Sequence, residues 1–141
     1  MDVKTILVVD DEFYNAEVLV FVLEEEGYRV LTASNGRDAL DKLIVTDIDL
    51  VVLDMMMPIM DGPELGRIMR RDEKLAVIPI LMTSALTDAG VRAQFDQFDA
   101  ILRKPFQISQ VLEQVRTLLS SPPTASSQAQ ATVRPIDRWI G

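Results

Sequence analysis

The sequence contains no cysteine and no histidine. The first absence excludes disulfide scaffolds, thiolate metal centres and cysteine nucleophiles. The second excludes imidazole bases, imidazole metal ligands and a phosphohistidine on this chain. Cations are scarce: 14 Lys and Arg stand against 22 Asp and Glu, for a formal net charge of −8. Such an acidic chain is poorly suited to direct nucleic-acid contact, although it suits a cation. Long apolar runs are missing as well. None approaches the roughly 18 residues of a membrane span. The N-terminus, Met1-Asp2-Val3-Lys4, carries an acid where a signal peptide needs a basic start. The expectation is a cytoplasmic protein with no membrane segment.

What is present is ordinary globular material. The 141 residues are 48% apolar and 26% charged, enough for one domain that removes about 68% of its unfolded surface from water. Short runs at 4–9, 28–33, 48–53, 77–82 and 100–102 read as strands, and the β-branched run 4–9 has the pattern of a strand buried on both faces. Helical spacing occupies the intervals between them. Residues 13–26 carry the stripe Val18, Leu19, Val22 and Leu23 and end on Gly27, a C-cap signal. Residues 35–45 carry Ala39, Leu40, Leu43 and Ile44. Asp61-Gly62-Pro63 opens a third helix with proline in its favoured first position, and Leu65, Ile68 and Met69 form its core face. Thr87-Asp88 caps a short fourth helix weakened by Gly90. Ile108, Val111, Leu112, Val115, Leu118 and Leu119 mark a fifth.

Five strands alternating with five helices argue for a parallel sheet covered on both faces. Five units are too few for an eight-stranded barrel. The fold class is therefore α/β, a flavodoxin-like doubly wound five-stranded parallel sheet of order 2-1-3-4-5. The domain is expected to occupy 1–120. Residues 121–132 are all Ser, Pro, Thr, Ala or Gln and read as a flexible linker. A short tail, 133–141, follows and carries Ile136, Trp139 and Ile140.

In open parallel sheets the working site lies beyond the carboxyl ends of the strands. Asp10-Asp11 stand after strand one, Asp54 after strand three, Thr83-Ser84 after strand four and Lys104 after strand five. Singly, each has a plain reading as a turn, a cap or a surface lysine. Together they bring three carboxylates, a hydroxyl and an ammonium to one edge. Three neighbouring carboxylates repel and need a cation. Without nitrogen or sulfur ligands the cation should be hard, and magnesium fits. Lysine and threonine beside it suit an anion, and a carboxylate is a competent nucleophile for a phosphoryl group.

With these residues the chain resembles the receiver domains of two-component response regulators. The resemblance covers residues 4–119. It rests on Asp10-Asp11, on Asp54 within Asp54-Met55-Met56-Met57-Pro58-Ile59-Met60-Asp61-Gly62, on Thr83-Ser84 and on Lys104-Pro105-Phe106. Gly27-Tyr28 and Asn35-Gly36 also match. The resemblance implies that Asp54 accepts a phosphoryl group from a histidine kinase or histidine phosphotransfer protein docked on helix one. It implies that Asp10, Asp11, Asp54 and the backbone carbonyl of Met56 hold Mg2+, and that Thr83 and Lys104 hold phosphoryl oxygens. It implies a cis Lys104–Pro105 bond. It further implies that phosphorylation remodels the face of helix four, strand five and helix five for a homodimer or effector.

The chain departs from the family in three places. Ile101 stands where a Tyr or Phe switch residue is usual, and Gln97-Phe98 replaces Gly-Ala. Met56 and Ala85, two residues beyond Asp54 and Thr83, cannot hold an attacking water, so self-dephosphorylation should be slow. Two alternatives stand beside this reading. One is a receiver-like scaffold without phosphate turnover. The other is a small haloacid-dehalogenase-like phosphatase, which Asp10-Asp11-Glu12 matches poorly. Beyond its core stripe, helix one also carries Phe13, Val20 and Phe21, expected to be partly exposed. They would be covered by helix five, by a partner, or by Ile136, Trp139 and Ile140 of the tail. Val91, Phe95, Phe98 and Ile101 are expected to give the helix four–strand five side an apolar character. Methionines 55, 56, 57, 60, 69 and 82 are expected to pack around strands three and four.

Overall fold

The computed structural model describes residues 2–120. Along the chain β1 (Thr5–Val9), α1 (Phe13–Glu25), β2 (Arg29–Ala33), α2 (Gly36–Val45) and β3 (Leu50–Asp54) are followed by α3 (Gly62–Arg71), β4 (Ile80–Ser84), α4 (Asp88–Arg92), β5 (Ala100–Arg103) and α5 (Ile108–Ser120). All strand pairs are parallel, and the sheet order is β2-β1-β3-β4-β5, as the alternation predicted.

The three central strands, TILVV, LVVLD and ILMTS, are buried at every position. That is the consequence of covering both faces with helices. Alternate residues feed two cores. Leu7, Val9, Val51, Leu53, Ile80 and Met82 meet Ala39, Leu43, Leu65 and Met69 of α2 and α3. Ile6, Val8, Leu50, Val52 and Leu81 meet Ala16, Leu19 and Leu23 of α1 and Val111 and Val115 of α5. No helix among the described residues is long and apolar enough to cross a membrane.

The helix ends follow their caps. Asn35 Oδ1 accepts the Asp38 N–H at 2.8 Å and Thr87 Oγ1 accepts the Gly90 N–H at 3.1 Å. Asn35 is thus the N-cap of α2 and not its first residue. After α1, Gly27 takes φ +96°, the left-handed conformation that lets its N–H and that of Tyr28 close on Glu24 and Leu23 carbonyls.

Several expectations require correction. Val18 and Ile44 are exposed, because α1 and α2 each cover the sheet with a narrower stripe than their apolar residues fill. β4 begins at Ile80, and Val77 is exposed; Leu75 and Ile78 reach the core from the connecting loop instead. Met56 is exposed, while Met55, Met69 and Met82 are buried as expected. Val91 and Phe95 are buried, and Phe98 and Ile101 pack partly against the core. Phe95 lies over Gly66, where a Cβ would meet its ring at 2.6 Å. The helix four–strand five side therefore spends its large apolar groups inward. The linker and tail assigned to 121–141 lie outside the described residues.

Candidate functional site

Register brings the polar groups together. Asp54 closes β3 and pairs with Thr83 of β4. The Thr83 hydroxyl donates to Asp54 Oδ1 at 3.4 Å. Asp10 follows β1, anchored by its N–H to the Ala33 carbonyl at 3.0 Å, and its Oδ1 accepts the Glu12 N–H at 2.8 Å. Lys104 follows β5, its N–H donating to the Ser84 carbonyl at 2.7 Å, and the Lys104–Pro105 bond is cis. Lys104 Nζ lies 3.0 Å from Asp54 Oδ1 and 3.7 Å from Asp10 Oδ2. Asp10, Asp11 and Asp54 each offer an oxygen within 4.8 Å of the others. Asp10, Asp54 and Thr83 are buried, and Asp11 is exposed.

The loop from Met55 to Asp61 closes one side. A Cβ on Gly62 would run into the carbonyl oxygen of Asp54, so only glycine allows α3 to start there. The Gly62 N–H donates to the Met55 carbonyl at 3.1 Å. Asp61 caps α3 by accepting the Glu64 N–H at 3.0 Å. A cleft of about 320 Å³, lined by Asp11, Met56, Met57 and Asp61, opens beside the carboxylates.

Burial pushes the Asp54 carboxyl above its usual pKa, with Lys104 opposing. Burial likewise raises Asp10, against the Glu12 backbone N–H and Lys104. Burial also works against the charged Lys104. The hydrogen bond and charge of Asp54, then the charge of Asp10, outweigh it, and its pKa rises. The site thus gathers more negative charge than one ammonium balances. Three hard oxygen donors within reach of one another fit a magnesium-type ion. A carboxylate flanked by an ammonium and a hydroxyl fits a nucleophile toward an anionic group.

Every side chain singled out from the sequence, Asp10, Asp11, Asp54, Thr83 and Lys104, is brought to this edge. Met56 lies in the adjoining loop with its side chain turned to solvent. Ile101 pairs in register with Met82 and is half-buried. Two acids went unrecognised as site residues. Asp61 lines the cleft. The charge of Glu12 acts on both Asp10 and Lys104. Nothing local marks Asp61 beyond its capping role, whereas Glu12 directly follows the acidic pair.

Comparison with known proteins gives a consistent result. The response regulator receiver domain family matches residues 6–116. The chain is 37% identical over 123 residues to the alkaline phosphatase synthesis transcriptional regulatory protein PhoP of Bacillus subtilis, covering 82% of this chain and 48% of that protein. It is 33% identical over 132 residues to the phosphate regulon transcriptional regulatory protein PhoB of Pseudomonas aeruginosa, covering 92% and 58%. The chain therefore spans about half the length of these curated relatives. Among solved structures, the receiver domain of a signal transduction histidine kinase from Syntrophus aciditrophicus superimposes with a TM-score of 0.80 at 32% identity, over 92% of this chain and 99% of that one. The response regulator TrrA of Thermotoga maritima, solved with Mg(2+)-BeF, gives 0.74 at 36% identity, over 82% and 99%. In fold and in sequence, the chain belongs to the response regulator receiver domain family.

Proposed function

We propose that Asp54 is the phospho-acceptor of a two-component phosphorelay acting in the cytoplasm. One observation carries this reading. A buried carboxylate stands at an open strand edge with Lys104 Nζ at 3.0 Å and Thr83 Oγ1 at 3.4 Å, and with two more carboxylates within 4.8 Å. An Asp54 oxygen attacks the phosphorus of a phosphohistidine on a partner histidine kinase or histidine phosphotransfer protein. The P–N bond breaks, the imidazole leaves and takes up a proton, and an acyl phosphate forms. Lys104 and the Thr83 hydroxyl hold the phosphoryl oxygens. Asp10, Asp11, Asp54 and the Met56 backbone carbonyl would hold Mg2+, which supplies positive charge where phosphoryl oxygens and carboxylates would otherwise repel.

The chain is a switch and not a turnover enzyme. Met56 and Ala85 place no polar side chain to hold a hydrolytic water, so the acyl phosphate should be lost slowly. Engagement of Thr83 by the phosphoryl group would draw on the β4–α4 connection. That makes the α4–β5–α5 face the output surface, for a second copy or an effector protein. Helix α1, beside the site, is the docking element for the phosphodonor.

The test is intact mass after incubation with acetyl phosphate and magnesium. The wild-type chain should gain one phosphoryl group, dependent on magnesium, and Asp54→Asn should gain none. Gain by Asp54→Asn would place the acceptor elsewhere. No gain from either acetyl phosphate or a phosphorylated histidine donor would favour a scaffold that signals without phosphate.

A further inference from the structure

The β3–α3 loop, 55–61, holds one residue in a conformation that its side chain disfavours. Ile59 takes φ +70°, the left-handed region that a β-branched residue avoids. Across it the Met60 N–H donates to the Pro58 carbonyl at 2.7 Å, closing a three-residue turn of the strained kind. The Ile59 side chain gains nothing by burial, since it is 81% exposed. Such a conformation persists only where its surroundings over-determine it.

The holding contact comes from α2. Gly36, the first residue of that helix, is buried and donates its N–H to the Met60 carbonyl at 2.8 Å. A Cβ on Gly36 would stand 2.7 Å from Met60 Cγ and 2.8 Å from the Met60 carbonyl oxygen. Only glycine allows that approach, because a backbone oxygen cannot swing aside as the end of a side chain can. Met60 itself packs partly against the core. On the other flank the loop is tied to the site. The Met55 N–H donates to the Thr83 carbonyl at 3.0 Å, and the Gly62 N–H donates to the Met55 carbonyl at 3.1 Å. Between these fixed points lie Met56 and Met57, which line the cleft with Asp11 and Asp61.

We propose that Gly36 is a positioning residue for the metal site: through Met60 it holds the strained turn at Ile59, and so the Met56 carbonyl, which rests on the reading of Met56 as a ligand given above. With the contact in place the loop keeps one conformation, and a cation meets a ligand already set. Without it the turn relaxes at Ile59. Only the fraction of chains with the loop in place then binds the cation, and the apparent affinity falls by that fraction. Gly36 thus acts at a distance from the carboxylates, on the one proposed ligand that belongs to a loop backbone.

The test is calorimetric titration of the intact chain with magnesium alone. Gly36→Ala should weaken binding about tenfold. The helix content seen by circular dichroism should not fall, because alanine suits a helix better than glycine. Gly90→Ala makes the same change in α4, where the added Cβ would be 3.4 Å from its nearest neighbour, and should leave the affinity as it was. Asparagine tolerates the left-handed conformation. Ile59→Asn should therefore change little by itself and recover most of the loss in the Gly36→Ala chain. Phosphoryl gain from acetyl phosphate should be slow in Gly36→Ala at low magnesium and match the wild type once magnesium saturates. Wild-type affinity in Gly36→Ala would overturn the inference alone. So would a loss that Ile59→Asn does not recover, since the turn would then play no part. A wild-type chain that binds no magnesium would overturn the metal reading with it. If Gly36→Ala loses helix content, Pro58→Gly decides, because it loosens the same turn from an exposed position outside both helices. It should weaken magnesium binding, and unchanged binding would overturn the inference.

Discussion

Two cation–carboxylate pairs lie at opposite ends of the β4–β5 pair, and they differ in completeness. Arg70, at the end of α3, engages all three of its guanidinium nitrogens. Its Nε donates to the Gln97 carbonyl at 2.8 Å, Nη1 to Ala76 and Ile78 carbonyls at 3.0 and 2.8 Å, and Nη2 to Asp99 Oδ2 at 2.8 Å. Asp99 Oδ2 also accepts the Ile80 N–H at 2.8 Å, which fixes the start of β4. Lys104, at the other end, is a single ammonium facing carboxylates that outnumber it. The planar fork of arginine ties three chain segments together through carbonyls and a carboxylate, whereas the lysine point charge meets carboxylates alone. A buried ion with every partner in place is architecture. A buried cluster whose carboxylates outnumber its one cation is left with a negative excess.

The largest expected effect sharpens the architectural side. Arg70→Met removes four hydrogen bonds and leaves Asp99 without its cation, and should cost about 3 kcal/mol, near the lower figure for breaking a buried pair because Asp99 is half-exposed and keeps the Ile80 N–H. Urea unfolding would read it; a loss within the error of the extrapolation would show the pair to be ornamental. The next effect tests the other side. Magnesium at about 100 times its dissociation constant should stabilise the wild-type chain by about 2.7 kcal/mol through mass action. Asp11→Asn should abolish most of that gain, and a gain unchanged by this substitution would move the metal elsewhere.

The smallest effects break the symmetry most directly, because one chemical change should act with opposite sign at the two ends. Asp99→Asn should destabilise by about 1 kcal/mol, the worth of a charge-assisted hydrogen bond at a half-exposed position. Asp10→Asn in magnesium-free buffer should stabilise by about 1 kcal/mol, since it relieves a buried carboxylate of like-charged neighbours while its oxygen still accepts the Glu12 N–H. The sign follows from the raised pKa of Asp10. Folding disfavours its ionised form, so the penalty is present at neutral pH and fades as pH falls through the folded-state value. Thermal melts of the two variants at neutral pH check both signs. Destabilisation by Asp10→Asn would mean that Lys104 already balances the site.

The sheet, its order and the acidic site were legible because each was written locally. Buried strands announce themselves as apolar runs, and four of the five runs lead into a residue that is delivered to the common edge. Asp54 beside Thr83 needed only parallel register. The surfaces were less legible. Val18 and Ile44 look like core residues in their helices and are exposed. Phe95 looks like surface and is buried against Gly66. Periodicity tells how wide an apolar stripe is, and only packing decides which part of it meets the sheet.

The sequence by itself determined the α/β alternation, the parallel sheet order and the meeting of five polar side chains at one sheet edge. These follow from patterns a few residues long and from the rule that strand ends converge. Tertiary structure alone decided that Arg70 binds Asp99 across 29 residues, that Gly62 must yield space to the Asp54 carbonyl, and that α1 leaves Val18 outside its core stripe. Each of these depends on how distant segments fill one volume, and a pattern confined to neighbours along the chain does not contain that distance.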